Sequence, residues 1–309
     1  MSGVKIIKIK PEDDGIRLNR WFLREYPALS LSRLQKLLRT KQIKVDGKRA
    51  ETSTRLTAGQ EVRLPPLDNE KAAPEIKTIS NKDIEYITSM VIYKDKNIIV
   101  LNKPSGLAVQ GGTNTTRHID GLLEALKFEL AEKPRLVHRI DKDTSGLLVL
   151  ARNRQTAETL TKAFREHTLQ KTYLALTRGC PDQFAGEINL PLEKVGERVQ
   201  VLSDGKKALT RYRVLDNAGK KYALIEAEPL TGRTHQIRAH LEALGTPILG
   251  DDKYFGRERV RLSEVADKLY LHAYKIDLSS VFAKKTIITA PLPPHFQQAC
   301  QFFGLEIKK

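Results

Sequence analysis

The 309-residue chain predicts an α+β protein in two parts. Three observations carry that expectation. Apolar runs rich in β-branched and aromatic residues outnumber helical patterns and do not alternate with them regularly. This favours a mostly antiparallel mixed sheet with flanking helices over a doubly wound sheet. Basic charge is concentrated at the start: residues 1–64 hold fifteen Lys and Arg against seven Asp and Glu. Leu64-Pro65-Pro66 is then followed by DNEKAAPE, a polar stretch that reads as a linker. The expected boundaries are a small basic domain over 1–66, a linker over 67–84 and a large domain over 85–309.

The small domain can be read residue by residue. Leu18, Trp21 and Phe22 fall at i, i+3 and i+4, one apolar stripe of a short helix. A second helix opens at Ser30 or Ser32, whose hydroxyls can cap free amides, and turns Leu31, Leu34, Leu37 and Leu38 inward. Arg33, Lys36 and Arg39 fall on its other flanks. QIKVDGKRA then reads as strand, Asp-Gly turn, strand, with Lys41 and Lys48 at its ends. A basic helix edge beside a basic hairpin suits phosphates, although such charges also occur on simple solvated faces.

In the large domain, strands are expected over 97–103, 146–152, 171–178, 209–215, 222–230, 271–278 and 285–291. Helical patterns cover 119–131, 155–166, 233–244 and 294–303. The whole chain carries 53 Lys and Arg against 37 Asp and Glu, a net charge of +16 that favours polyanionic partners. Cys180 and Cys300 are the only cysteines, which supports neither a disulfide framework nor a cysteine-based zinc site. The opening MSGVKIIKIK has no signal-like apolar core, and no apolar run is long enough to span a bilayer. A cytoplasmic protein with no membrane partner is expected, with a monomer as the default.

Three segments carry candidate chemistry. The first is Arg135 to Gly146, RLVHRIDKDTSG, which packs six ionisable residues into nine positions ahead of an apolar strand. It reads either as a site on a loop or as a charged turn capped by Asp141 or Asp143. Ser145 lacks the first glycine of a nucleophile elbow. The surrounding cations work against a neutral carboxyl as a glycosidase-type acid, so a single ionised aspartate is the easier reading. The second is Leu230 to Leu241, LTGRTHQIRAHL, where Thr231 or Thr234 can cap a helix that Gly245 closes. His235 and His240 are five apart, not the four of a zinc helix, whereas Arg238 shares a face with His235. The third is QKTYLAL, where Lys171 and Tyr173 face the same way on a strand; an aromatic beside cations suits base stacking. Gly111 to Thr116 lacks the Gly-Lys-Ser/Thr of a Walker loop.

These motifs carry a resemblance. LNRWF, SRLQKLLRTKQIKVDGK and LTAGQEVRLP, over roughly 15–65, resemble the S4 RNA-binding domain, whose basic helix and following loop contact RNA. From about residue 85 onward, LNKPSG, HRIDKDTSG, KTYLAL and LTGRTHQIRAHL resemble the RluA-type pseudouridine synthases, in the family's order. Ile140 stands where that signature has leucine. GLAVQGG (106–112) and DDKYFG (251–256) are similar to the subgroup acting on large-subunit (23S) rRNA, with Gln110 where that subgroup has histidine. The resemblance implies a cofactor-free and metal-free isomerisation of uridine to pseudouridine, with 23S rRNA or its assembly precursors as partner. It also implies roles: Asp141 as the essential carboxylate, Arg238 as the arginine pairing with it, and Tyr173 packing on the target base. Arg139 would fill the gap left by a flipped nucleotide. Asp141 would act as nucleophile or as the base that deprotonates the sugar; both routes stay open. Two alternatives are a non-catalytic S4-type RNA- or ribosome-binding protein and the same enzyme acting on another rRNA site or a tRNA. Arg33, Lys36, Arg39, Lys41 and Lys48 are the expected RNA contacts of the basic module.

Overall fold

The computed structural model describes residues 4–67, 79–112, 117–255, 265–282 and 284–307. The chain divides into two compact units, residues 1–78 and 79–309. Most of the expected linker, residues 68–78, lies outside the described residues. Its expected end at residue 84 is corrected, because Ser80 Oγ accepts from Asp83 N at 3.2 Å and caps helix α3, Asn81–Thr88.

The first unit contains strands β1 (Lys5–Lys8), β2 (Lys44–Val45) and β3 (Glu61–Leu64), in the antiparallel order β1-β3-β2. Helices α1 (Leu18–Glu25) and α2 (Leu31–Arg39) pack with that sheet, burying Leu18, Trp21, Phe22, Leu34, Leu37 and Leu38. Ser30 is the cap, accepting from Arg33 N at 3.3 Å. Leu31 is 45% exposed, against expectation, since the first turn of α2 overhangs this small core. The expected hairpin is also shorter than read. Asp46 and Gly47 take the left-handed conformations of the turn, but pairing stops at a single Val45–Lys48 bridge. β2 instead pairs with β3, whose Val62 and Leu64 bring apolar side chains that the polar segment after Lys48 lacks. Arg33, Lys36, Arg39, Lys41 and Lys48 are all exposed.

The second unit is built on a ten-stranded sheet. Its strands are β4 (Val91–Lys94), β5 (Ile98–Lys103), β6 (Arg135–Leu136), β7 (Ser145–Ala151), β8 (Gln170–Arg178) and β9 (Ala185–Asn189). With them pair β12 (Leu209–Ala218), β13 (Tyr222–Pro229), β14 (Leu271–Asp277) and β15 (Ile287–Thr289). The main order is β4-β5-β7-β14-β8-β13-β12-β9, with β10 (Leu192–Val195) and β11 (Arg198–Val201) forming a separate ribbon. Among the described strands only β7 and β14 pair in parallel, so the expected mostly antiparallel mixed sheet is what forms.

Every residue of β7 is buried, as an apolar strand covered on both faces must be. One face packs Leu147 and Val149 under Leu160 and Ala163 of α5 (Arg154–Arg165). The other packs Leu148 and Leu150 under Ile87 of α3 and Ile119 and Leu122 of α4 (Ile119–Leu122). Farther along the sheet, Leu174, Leu176 and Leu224 meet Ile237 and Leu241 of α6 (Gln236–Ala243) and Phe296 of α7 (Pro294–Phe303). The helix expected over 119–131 is corrected to α4 and a 3-10 turn to Leu126. Gly121 weakens it, Phe128 turns left-handed, and Glu129 swings to Arg152 at 2.6 Å. Among the described residues, no helix is long and apolar enough to cross a membrane.

Candidate active site

Asp141 sits in the loop between β6 and β7, and the loop is pinned on both sides of it. Upstream, His138 Nε2 accepts from Val149 N at 2.8 Å while its ring stacks on Phe164, centroids 4.1 Å apart. Desolvation, helped by the Lys171 ammonium, holds His138 at about 3, so it is neutral and fit to accept that bond. Downstream, the segment after β5 takes hold. Ser105 Oγ donates to Asp143 O at 2.7 Å and Gly106 N to Lys142 O at 3.0 Å. Lys103 is fully buried, and its Nζ donates to the carbonyls of Pro104, Leu107 and Lys142 at 2.8–2.9 Å. LNKPSG is therefore the brace of the Asp141 loop.

The glycine of the Thr-Ser-Gly triplet has a local cause. Gly146 lies at φ +104° and a Cβ there would collide with the backbone of Ala273 where β14 joins β7. Ser145 is buried and bonded to His272 Nδ1 at 2.9 Å, so its hydroxyl is occupied in the core.

A cavity of about 520 Å³ opens over Asp141, with Tyr173, Lys171, His235 and Arg238 in its wall. A second, of about 720 Å³, adjoins it on the Gln110 side and shares Arg139, Asp141 and Arg233. Each is within the size range of sites for small organic groups. Tyr173 and Lys171 reach the first cavity from β8, as alternation predicts. Burial first, and the Asp141 charge second, push the Tyr173 phenol up. It therefore stays protonated and offers a ring face and an O–H.

Arg238 is nearly buried on α6. Its NH1 stands 3.5 Å from Asp141 Oδ2, while Nε and NH2 make a two-pronged bond to Asp251, both at 2.7 Å. Burial is the largest single influence and opposes the Arg238 charge, but the Asp251 bond and charge, with the nearby Asp141 charge, together outweigh it and raise the pKa. Asp251 is thus the closer partner, and spacing gave no sign of it. His235 approaches Asp141 too, Nε2 to Oδ2 at 3.8 Å. Arg139 is exposed at the mouth, where its NH1 donates to Gln110 Oε1 at 3.2 Å.

LTGRTHQIRAHL does not form a solvated basic helix, since Gln236 to Leu241 are all buried. Neither Thr231 nor Thr234 caps α6: the cap position is His235, at φ +50°. Gln236 folds back on the segment before the helix, its Oε1 accepting from Thr231 Oγ1 at 2.7 Å and Arg233 N at 3.1 Å. His240 is satisfied in the core by Thr210 and Leu190. Among the described residues no three His, Cys, Asp or Glu gather as metal ligands. Residues 113–116 of the glycine-threonine loop and Gly256 of DDKYFG lie outside the described residues.

Comparison with known proteins agrees with this arrangement. The family model for RNA pseudouridylate synthase matches residues 97–243. "Ribosomal large subunit pseudouridine synthase C" of Rickettsia bellii is 39% identical over 293 residues, covering 91% of this chain and 96% of that protein. The protein of the same name from Vibrio cholerae is 37% identical, covering 96% of each. The solved structure of human RNA Pseudouridylate Synthase Domain Containing 4 superposes with a TM-score of 0.64 at 29% identity, over 73% of this chain and 97% of that one. With three of the motifs on one cavity, the fourth bracing its loop, and a relative matched almost end to end, the chain belongs to the RluA-type RNA pseudouridylate synthases.

Proposed function

We propose that the protein converts uridine to pseudouridine in large-subunit ribosomal RNA, with Asp141 as its essential carboxylate. The observation that carries this is the Asp141 side chain, 30% exposed to a cavity whose wall holds Arg238 and Tyr173. The substrate class rests on the names of the relatives that match most of the chain.

The reaction breaks the C1′–N1 bond, turns the base and joins C1′ to C5, with a proton lost at C5 and one gained at N1. An ionised carboxylate serves as the nucleophile or as the base that takes a sugar proton. Arg238 orients that carboxylate. Tyr173 packs on the base in the cavity, and Arg139 at the mouth fills the space the nucleotide leaves. Flipping is required because a stacked nucleoside hides its glycosidic bond; it costs a few kcal/mol, recovered by pocket contacts. The first unit acts as an S4-type RNA-binding domain through the exposed Arg33, Lys36, Arg39, Lys41 and Lys48.

The test is Asp141→Asn, which keeps the shape and removes the charge. RNA affinity should stay within about twofold while isomerisation disappears; normal turnover would remove Asp141 from the chemistry.

A further inference from the structure

Both groups that face Asp141 are held by one short turn. Asp251 grips Arg238 through Nε and NH2, leaving only the NH1 edge toward Asp141. Asp251 is itself buried and fixed, because its Oδ1 also accepts from Lys253 N at 2.9 Å and Tyr254 N at 3.1 Å. Tyr254, three residues on, is buried between the same two groups. Its ring lies 5.1 Å from the Arg238 guanidinium and edge-on to His235, centroids 5.7 Å apart.

The Tyr254 hydroxyl is the polar partner of His235 on its inner side. It accepts from Val199 N at 2.8 Å and contacts His235 Nδ1 at 3.0 Å. With one lone pair engaged by that N–H, the arrangement that also uses the hydroxyl proton has it donate to Nδ1. The imidazole proton is then on Nε2, the nitrogen that faces Asp141 Oδ2 at 3.8 Å. A movement of about 1 Å closes that gap to a hydrogen bond. His235 holds a left-handed backbone with no capping bond of its own, a strained state that persists where surroundings enforce it. Burial lowers its pKa, against the pull of Asp141, which keeps the ring neutral and the arrangement intact at neutral pH.

We propose that the Asp251–Tyr254 turn is a positioning device for the reaction, fixing through Asp251 the arginine and through Tyr254 the histidine that together orient the Asp141 carboxylate. His235, Asp251 and Tyr254 are positioning residues; the inference rests on Asp141 as the essential carboxylate. Misplacing a reacting group by about 1 Å costs up to about a hundredfold in rate.

The experiment is single-turnover isomerisation on unmodified rRNA from a strain lacking the protein, read as release of the C5 hydrogen. RNA affinity and thermal melting are measured beside it. Asp251→Asn should slow the step about a hundredfold, and Tyr254→Phe and His235→Asn about tenfold each, with RNA affinity within about twofold. Asparagine suits position 235 because it tolerates the left-handed backbone. Should Asp251→Asn melt before assay, Tyr254→Phe decides. A merely structural role would slow the double variant by the product of the single effects. Positioning predicts that Tyr254→Phe adds nothing to the rate loss once His235 is asparagine, since the hydroxyl reaches Asp141 only through that ring and its bond from Val199 N is read separately in the melting. Wild-type rate in Tyr254→Phe, or multiplying effects in the double variant, overturns the proposal. Asp141→Asn, run in parallel, keeps the two readings apart. If it is inactive while the turn variants are normal, only the positioning role falls; if it is active, the parent reading falls.

Discussion

Replacing Lys103 with methionine isolates what braces the Asp141 loop. Methionine keeps the apolar stem of lysine and is only one heavy atom shorter, so little more than the Nζ position is vacated in this fully buried site. What disappears is an ammonium that gives one N–H to each of three carbonyls at 2.8–2.9 Å. Lys142 O keeps its bond from Gly106 N, while the carbonyls of Pro104 and Leu107 lose their donor. Each stranded carbonyl costs about 1–3 kcal/mol, which places the loss for the two at about 2–6 kcal/mol. At about 2–4 °C per kcal/mol for a domain of this size, melting should fall by about 4–24 °C. The variant should also lose isomerisation rate, because Lys142 is the neighbour of Asp141. Burial brings the Lys103 pKa down from 10.5 to about 7, with Asp143 and Asp141 pulling the other way. The folded-state value is the lower one, so the unfolded chain binds more protons between about pH 7 and 10.5. Wild-type stability should therefore gain on the variant as pH rises through that window, and its margin should be smallest below pH 7. Urea unfolding at pH 7 and pH 9 measures both effects. A methionine variant as stable as wild type at each pH would refute the account of Lys103 as the brace.

Gly146→Ala places a methyl group against the Ala273 backbone at a φ of +104°, so it should destabilise by more than about 3 kcal/mol or abolish folding; a variant within about 1 kcal/mol of wild type in urea would show that β14 can shift. The triple variant Lys36→Gln, Arg39→Gln and Lys41→Gln should weaken RNA binding and lessen the salt dependence of affinity by about two to three units of logarithmic slope. Filter binding from low to moderate salt measures it, and an unchanged slope would deny the first unit its phosphate contacts.

Much of this protein is legible in its sequence because the signals are local. The β7 strand announces itself as an apolar run, α2 by its leucine spacing and serine cap, and Tyr173 by alternation on β8. The errors are local signals overridden by packing. The 119–131 pattern carries helical spacing past Leu126, but Glu129 gains more from Arg152 than from another turn. A threonine cap is expected for α6, but Thr231 is engaged by Leu209 N and by Gln236, and no side chain caps the helix.

What spacing alone could not reveal is how the site is held. Lys103 and Lys142 are 39 residues apart, and Arg238 and Asp251 are 13 apart on separate elements. Only the pairing of β5 with β7, and of β7 with β14, brings the first pair together beside the second. A buried ion tells its own story once placed: no chain leaves Lys103 or Asp251 without water unless several bonds compensate, and here both compensations end on residues that touch Asp141 or its loop. The brace and the grip act on different groups, Lys103 fixing the backbone after Asp141 and Asp251 fixing the arginine beside it. The role proposed for Asp141, meeting a flipped nucleoside in a fixed pose, needs both, because holding either the loop or the arginine alone would leave the other free to move.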